Sequence, residues 1–413
     1  MSLKLIHTAD WHLGQTFFGY DREVEHDAFL GWLVGLLRER QADVLLVSGD
    51  VFDVPNPAAT AQRRFYHFLK EANRANPSLR IVVIAGNHDS AIRLEAPNPL
   101  LEELNTVIIG LIKRTAAGEI DPDSLLIPLQ DRVGKRAAWC LAVPYLRQGD
   151  YPASEEAHDT YITGVERMYK WLYAHAESKR EPGEAIIAMG HLHATGSQLS
   201  EDDRSERIIM GGLESVSSVA FDEGLAYTAL GHIHKAQRVG GRETVRYAGS
   251  PLPMSFSETN YRHQVVSVEI QEDGSSAVEA IPIPLVTELR RMPDTPLPPE
   301  EVLEALKELP LADTAGKETW PYLEVRVLLT EPDPSFRHRV EECLADKAVR
   351  LTSIVPSYPK REAGEIEKLF SYDDLRKIAP LDMLRHTFTA KYGGDLPEEL
   401  EDLFNEVMRE VTT

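Results

Sequence analysis

Cysteine is scarce, basic residues are outnumbered, and long apolar runs are missing. The 413 residues include two cysteines, Cys140 and Cys343, far apart and in no CxxC pair. This excludes a disulfide framework and a cysteine zinc site, and each thiol reads as a small buried hydrophobe. Lys and Arg number 44 against 66 Asp and Glu, a formal charge of −22. That balance is the opposite of the basic face carried by a self-sufficient nucleic-acid binder. No uncharged apolar stretch of about 18 residues occurs, so no membrane helix is expected. The opening MSLKLIHTADWH holds no apolar core of signal-peptide length, which places the chain in the cytoplasm. A Gly-x-x-x-x-Gly-Lys-[Ser/Thr] phosphate loop is also missing. Gly316-Lys317 runs into Glu318, so the chain carries no P-loop ATPase of its own.

What is present suits a layered globular protein. Hydrophobic residues make up 43% of the chain, enough for a sizeable core, and at about 150 residues per domain the length suggests two or three domains. Up to residue 283, short β-rich runs alternate with amphipathic segments, the signature of an α/β layered domain. Leu3 to Thr8 reads as a strand. Val24, Ala28, Phe29, Trp32, Leu33, Leu36 and Leu37 mark one face of a helix over Arg22 to Arg40. A strand at Asp43 to Ser48, a helix at Ala58 to Ala75 and a strand at Arg80 to Ala85 continue the alternation. Ala137 to Val143, Ala185 to Met189 and Ala226 to Leu230 add further strands. The Pro-rich stretch Ile281 to Pro299 interrupts the pattern and places a boundary near residue 284. Beyond it, strands at Val286 to Met292, Tyr322 to Thr330 and Val349 to Val355 alternate with helices at Glu300 to Leu309 and Ser335 to Ala345, a small βαβαβ domain over 284–358. Residues 359–413 read as a helical tail. Its apolar stripes, Leu381/Leu384/Phe388/Tyr392 and Leu396/Leu400/Leu403/Phe404/Val407/Val411, either pack on their own protein or dock on a partner.

Chemistry gathers where five of the strand-like runs end. LKLIHTA leads into Asp10-Trp11-His12, VLLVSG into Asp50, IVVIAG into Asn87-His88-Asp89, IIAMG into His191, and YTALG into His232-Ile233-His234. Functional groups of α/β sheets collect at the carboxyl ends of strands, so these termini can share one rim. The Gly before Asp50, Asn87, His191 and His232 is expected to let the chain turn sharply there. Asp10, His12, Asp50, Asn87, His191, His232 and His234 offer oxygen and imidazole donors with no thiolate. Such a set suits a pair of divalent first-row metals, with Asp50 the natural bridge. Two ions about 3.5–4 Å apart would stabilise both the attacking and the leaving oxygen of displacement at phosphorus.

In order, these fragments spell DxH, GDxxD, GNHD, GH and GHxH, and the chain thereby resembles the calcineurin-like metallophosphoesterase superfamily. HTADWHLG, SGDVFD and YAGSPLPMSFSE make it most similar, within that superfamily, to the nuclease subunits of bacterial double-strand-break processing complexes. The resemblance implies two mixed β-sheets flanked by helices in a layered sandwich over residues 1–283, a capping domain over 284–358, and a tail over 359–413 that binds a partner ATPase. It implies one metal on Asp10, His12, Asp50 and His234 and another on Asp50, Asn87, His191 and His232, with manganese as the ion. His88 matches the catalytic histidine that orients the phosphate or protonates the leaving oxygen. The implied activity is 3′-to-5′ exonuclease action on duplex DNA ends and endonuclease action on hairpins and single strands, in repair, recombination and replication. The implied partners are a second copy of the chain and an SMC-like ATPase.

Asp53 completes GDxxD, and its role is open between touching DNA and orienting a ligand; His193 reads as a neighbour of the site. His7, His26, His67, His158, His175, His338 and His386 have no motif context and read as surface or core histidines. Given the acidic balance, phosphate grip would come from the metals, from small clusters such as Arg63-Arg64, Lys113-Arg114 and Lys135-Arg136, or from a partner; ordinary solvated surface is the plainer reading of each cluster. The rival enzyme is a phosphoprotein or small-molecule phosphoesterase on the same scaffold. Against it, GDVFD continues into Val54-Pro55 and not into the GDxVDRG of protein phosphatases.

Overall fold

The computed structural model describes residues 2–153, 160–194, 215–312, 316–359, 380–392 and 394–411. His158 and the side chain of His386 lie outside the described residues. The chain divides into two compact units, Met1–Glu288 and Leu289–Thr413.

The first unit runs β1 (Leu3–Thr8), β2 (Thr16–Phe17), β3 (Tyr20–Asp21), α1 (Glu23–Glu39), β4 (Val44–Ser48), α2 (Ala59–Ala75), β5 (Arg80–Ile84), α3 (Ala91–Glu95), α4 (Asn98–Leu101), β6 (Thr106–Ile109), β7 (Leu126–Gln130) and β8 (Arg136–Ala142). It continues with α5 (Tyr161–Lys179), β9 (Ala185–His191), β10 (Tyr227–Gly231), β11 (Gln237–Val239), β12 (Arg242–Tyr247), β13 (Gln264–Ile270) and β14 (Ser276–Pro282). Two six-stranded mixed sheets result, in the orders β14-β13-β1-β4-β5-β6 and β11-β12-β10-β9-β8-β7. Within them β1, β4, β5 and β6 run parallel, as do β8, β9, β10 and β12. This is the layered sandwich that the motifs imply.

Period-2 alternation explains the layering. Leu5, Leu46, Val82 and Ile84 of the first sheet join Cys140, Ala188 and Ala229 of the second in one core. Their neighbours Ile6, Leu45, Val47, Ile81 and Val83 face the other way, onto Phe29, Leu33 and Leu37 of α1 and Phe65, Phe68 and Leu69 of α2. Covered on both faces, β4 is buried from end to end. The face of α1 is turned slightly from the expected one: Val24 stays exposed, while Glu25 and His26 go inward. Arg22 causes this, because its buried guanidinium pairs with Glu25 at 2.7 Å and draws the first turn toward the protein.

The second unit contains β15 (Leu289–Leu297), α6 (Pro299–Lys307), β16 (Tyr322–Leu328), α7 (Phe336–Leu344) and β17 (Arg350–Ser357). Its sheet is parallel, in the order β15-β16-β17, and Val302, Leu306, Phe336 and Val340 of the helices cover Leu323, Val325 and Val327. The Pro-rich segment is therefore not all linker. Pro293 and Pro296 lie inside β15, an edge strand where missing N–H donors cost least, and the pairing slips between Met292 and Leu297. Two more helices span Pro380–Tyr392 and Glu398–Val411. Leu400, Leu403 and Val407 on the last of them are 44%, 56% and 49% exposed.

Two core histidines couple stability to pH. His7 on β1 is buried with Nδ1 2.9 Å from the Tyr227 hydroxyl on β10, tying sheet to sheet. His26 is buried under α1. Burial, reinforced by nearby arginines, pushes both pKa values down to about 3, against about 6.5 in an unfolded chain. The unfolded state therefore takes up these protons first. Stability should be fully present above pH about 6.5 and fall as the pH drops toward 3. Denaturant melts across that range should show a shallower slope for the His7→Gln/His26→Gln double variant than for wild type.

Candidate metal centre

Loops leaving five parallel strands build the site. Asp10 and His12 follow β1, Asp50 follows β4, Asn87 and His88 follow β5, His191 ends β9, and His232 and His234 follow β10. The first sheet thus supplies the oxygens and His12, and the second supplies three imidazoles. Sharp turning falls on the functional residues themselves: Asp10, His12, Asp50 and His232 have φ of 55°, 46°, 49° and 101°. Side chains rarely adopt this left-handed region, at a cost of about 1–3 kcal/mol each.

The glycines play a different part from the expected one. Of the four, only Gly49, at φ 90°, turns in the left-handed sense. Gly86, Gly190 and Gly231 are needed for room: a Cβ there would strike the Asp50 carboxylate, the Tyr169 hydroxyl and the Ser48 carbonyl respectively. Close approach of the Asp50 loop, of α5 and of β4, and not backbone freedom, fixes three of the four.

Asp10 and Asp50 are both fully buried. One oxygen of each is held by a main-chain amide: His232 N–H donates to Asp10 Oδ1 at 2.9 Å, and His88 N–H to Asp50 Oδ1 at 2.8 Å. The other oxygens, Asp10 Oδ2 and Asp50 Oδ2, accept no hydrogen bond among the described residues. Asp50 Oδ2 is instead faced by His191 Nε2 at 3.2 Å and His12 Nε2 at 3.8 Å. His191 Nδ1 donates to the Ser48 carbonyl at 2.9 Å, which aims Nε2 at Asp50 Oδ2 and at Asn87 Oδ1, 2.8 Å away. His232 Nδ1 lies 3.0 Å from the same Asn87 oxygen. The His12 and His234 rings meet edge to face at 5.1 Å.

Such a gathering needs positive charge. Burial works to lower the His191 pKa, but the Asp50 and Asp10 carboxylates outweigh it and hold the imidazole up at about 10. Burial alone would raise the Asp50 carboxyl; the imidazoles of His191, His12 and His88 hold it well below the usual range. Burial drives Asp10 up and His232 well down. A divalent cation supplies the missing charge without a proton, and the donors are those such ions prefer. Two groups have ligand atoms within 4.8 Å of one another, Asp10/Asp50/His191 and His12/Asp50/His88, with Asp50 in both.

His88, a member of the second group, is only partly buried. Its Nδ1 donates to the Asp53 carbonyl at 2.8 Å, and its ring meets that of His12 edge to face at 4.9 Å. Asp53 Oδ1 lies 3.3 Å from His12 Nδ1. His193 is half-buried and outside both groups.

Sequence reasoning passed over three groups that hold the rim in place. The buried Asp89 carboxylate accepts from the amides of Gly86, Phe52 and Val51 at 2.9, 3.0 and 3.2 Å, stapling the loop after β5 to that after β4. Burial and the Asp50 charge push its pKa up to about 6. Arg22 donates to the Pro253 carbonyl at 2.7 Å and to Gln15 Oε1 at 2.8 Å. Glu258 is buried, accepts from the Met254 amide at 2.9 Å, and lies 3.7 Å from His234 Nδ1. The GNHD motif contained the signal for Asp89 and YAGSPLPMSFSE ended on Glu258, whereas the Arg22–Pro253 contact joins segments far apart in the chain.

One member of each basic cluster is spent on carboxylates. Arg64 pairs with Asp27 and Glu23, Lys113 with Glu95, and Arg136 with Glu184 and Glu181.

Residues 3–236, more than half of the chain, match the calcineurin-like phosphoesterase family. The chain belongs to that family. Residues 286–392 match a family described as the type 5 capsule protein repressor C-terminal domain. Among curated relatives, the D subunit of the SbcCD nuclease from Rhodobacter capsulatus is 39% identical over 366 residues, covering 87% of this chain and 88% of the relative. Its namesake from Escherichia coli K12 is 34% identical over 290 residues, 68% and 69% of the two chains. That from Bacillus subtilis 168 is 32% identical over 273 residues, 65% of this chain and 66% of the relative. The kinship expected from the motifs is borne out, and this calcineurin-like phosphoesterase is a metal-dependent hydrolase of phosphodiester bonds. No helix among the described residues is long and apolar enough to cross a membrane.

Gly86→Ala tests the close-approach argument. The added methyl displaces the Asp50 carboxylate, so bound divalent metal measured after gel filtration should fall at least about tenfold, as loss of a well-placed ligand does. Gly35→Ala, at a helical glycine whose Cβ would meet nothing within 4 Å, should bind metal as wild type does.

Proposed function

We propose that the chain is a manganese-dependent DNA nuclease and the nuclease subunit of an SbcCD-type complex. The observation that carries this is the buried Asp50 Oδ2, approached by imidazoles from both sheets. Asp10, His12, Asp50 and His234 would hold one ion, and Asp50, Asn87, His191 and His232 the other, with Asp50 bridging. When bound, the pair supplies Lewis-acid stabilisation of the attacking and leaving oxygens. The protein's part is orientation and proton handling. Asp10, His12, Asp50, His191 and His234 are buried and limit access of bulk water, and Ser48 O fixes the His191 tautomer. His88, with Nδ1–H committed to Asp53 O, keeps Nε2 free to contact the phosphate or protonate the departing sugar oxygen.

The substrate reading, 3′-to-5′ removal from duplex ends and cutting of hairpins and single strands, rests on likeness to the SbcCD nuclease relatives, as does action in repair, recombination and replication in the cytoplasm. So does partnership with an SMC-like ATPase. The pairing of Arg64, Lys113 and Arg136 with carboxylates supports it, since half of each basic cluster is then unavailable to phosphate and the metals or the partner would supply more of the affinity. Residues 284–358 would cap the active site, and the tail over 359–413 would bind the ATPase through the exposed Leu400, Leu403 and Val407. A homodimer fits the exposed Ile92 and Leu100 of α3 and α4, 69% and 76% accessible.

Release of nucleotides from an end-labelled duplex with manganese tests the reading. His88→Ala should lower the rate by about a hundred- to ten-thousand-fold with metal content unchanged. Wild type that binds metal yet spares DNA, alone and with the ATPase, and instead cleaves phosphopeptides, would establish the rival phosphatase. For the tail, Leu403→Asp/Val407→Asp should abolish co-purification with the ATPase and leave cleavage by the isolated chain intact.

A further inference from the structure

Asp53 touches two imidazoles through two different parts of itself. Its side-chain Oδ1 lies 3.3 Å from His12 Nδ1. Its main-chain carbonyl accepts the His88 Nδ1 hydrogen at 2.8 Å. Neither nitrogen of His12 completes a hydrogen bond among the described residues, although the ring is buried; Nδ1 looks toward Asp53 and Nε2 toward Asp50 Oδ2. A metal-binding imidazole commonly gives its second N–H to a carboxylate, which fixes tautomer and ring direction and makes the ligating nitrogen more basic. Asp53 is the carboxylate in that position for His12.

The backbone at residue 53 is held by its neighbours. Its amide donates to Leu13 O at 3.3 Å, next to His12 in the chain. The two preceding amides, Val51 and Phe52, are pinned by Asp89. The carbonyl that holds His88 is thus set by the backbone and does not depend on the side chain. The carboxylate, 29% exposed, is the only part of Asp53 that a substitution removes.

We infer that Asp53 is a positioning residue with separable duties: its carboxylate orients His12 for metal, and its peptide carbonyl orients His88 for the leaving group. This rests on the metal-centre reading but not on the identity of the substrate. Side-chain variants should therefore damage metal binding at one ion and spare the chemistry of His88.

Calorimetric titration of the full-length chain with Mn2+ alone is the test, because it needs no substrate and so stands apart from the nuclease reading. Asp53→Ala should weaken one of the binding events by about 10–100-fold and leave the other unchanged. Asp53→Asn keeps an acceptor oxygen without the charge and should lose less, which also guards against an Ala variant that fails to fold. In cleavage assays at saturating Mn2+, both variants should recover the wild-type kcat and keep its pH profile, whereas His88→Ala should bind metal normally and not recover. A folded Asp53 variant that binds Mn2+ as tightly as wild type overturns the assignment. So does a variant whose KM for DNA rises while its metal affinity does not, since that result makes the carboxylate a DNA contact.

Discussion

A fully buried carboxylate with positive groups drawn up around it is the constraint on which the first unit depends. Asp50 cannot be charged inside a protein without compensation, because removing an ion from water costs several kcal/mol even after relaxation. A main-chain amide on one oxygen and a ring of imidazoles around the other answer it for Asp50, and Asp10 beside it is likewise held by one amide. Strained φ angles at Asp10, His12, Asp50 and His232 persist only because the sheets beneath them are packed and paired on every side. Without that packing the residues would relax into ordinary turns, and the convergence would disappear.

Five strand ends and seven candidate ligands could be read from the chain because each is local. A strand followed by Gly-Asp or Gly-His announces itself within a few residues, and the order of the motifs identified the family. The helix on Arg22 to Arg40 was legible in extent but not in rotation, since its inward face is set by the buried Arg22–Glu25 pair and by Pro253, more than two hundred residues away. The reason for the glycines was misread for the same cause. Which atom a Cβ would strike depends on a neighbouring loop, helix or strand distant in the chain, and a one-dimensional pattern does not contain it. β15 shows the converse error, where prolines that signal a linker are tolerated in an edge strand.

The acidic balance acquires a structural meaning. Arg64, Lys113 and Arg136 are each held by carboxylates of their own protein, which leaves one exposed basic residue of each cluster, Arg63, Arg114 and Lys135, facing outward. A phosphodiester would then be gripped by metal and by a few directed donors, which favours positioning over tight, unspecific adhesion.

The two halves of the candidate metal centre come from different sheets: Asp10, His12, Asp50 and Asn87 from one, His191, His232 and His234 from the other. Between the sheets lie Leu46, Val82, Ile84, Cys140, Ala188 and Ala229, none among the candidate ligands and all without solvent exposure. That apolar layer acts as a spacer whose thickness is a sum of side-chain volumes. Interiors are packed as densely as organic crystals, so a change of one methylene is transmitted and not absorbed. The separation between the two ligand sets is accordingly calibrated by hydrocarbon far below the rim, and drift in that hydrocarbon would detune the centre while every ligand remained in place.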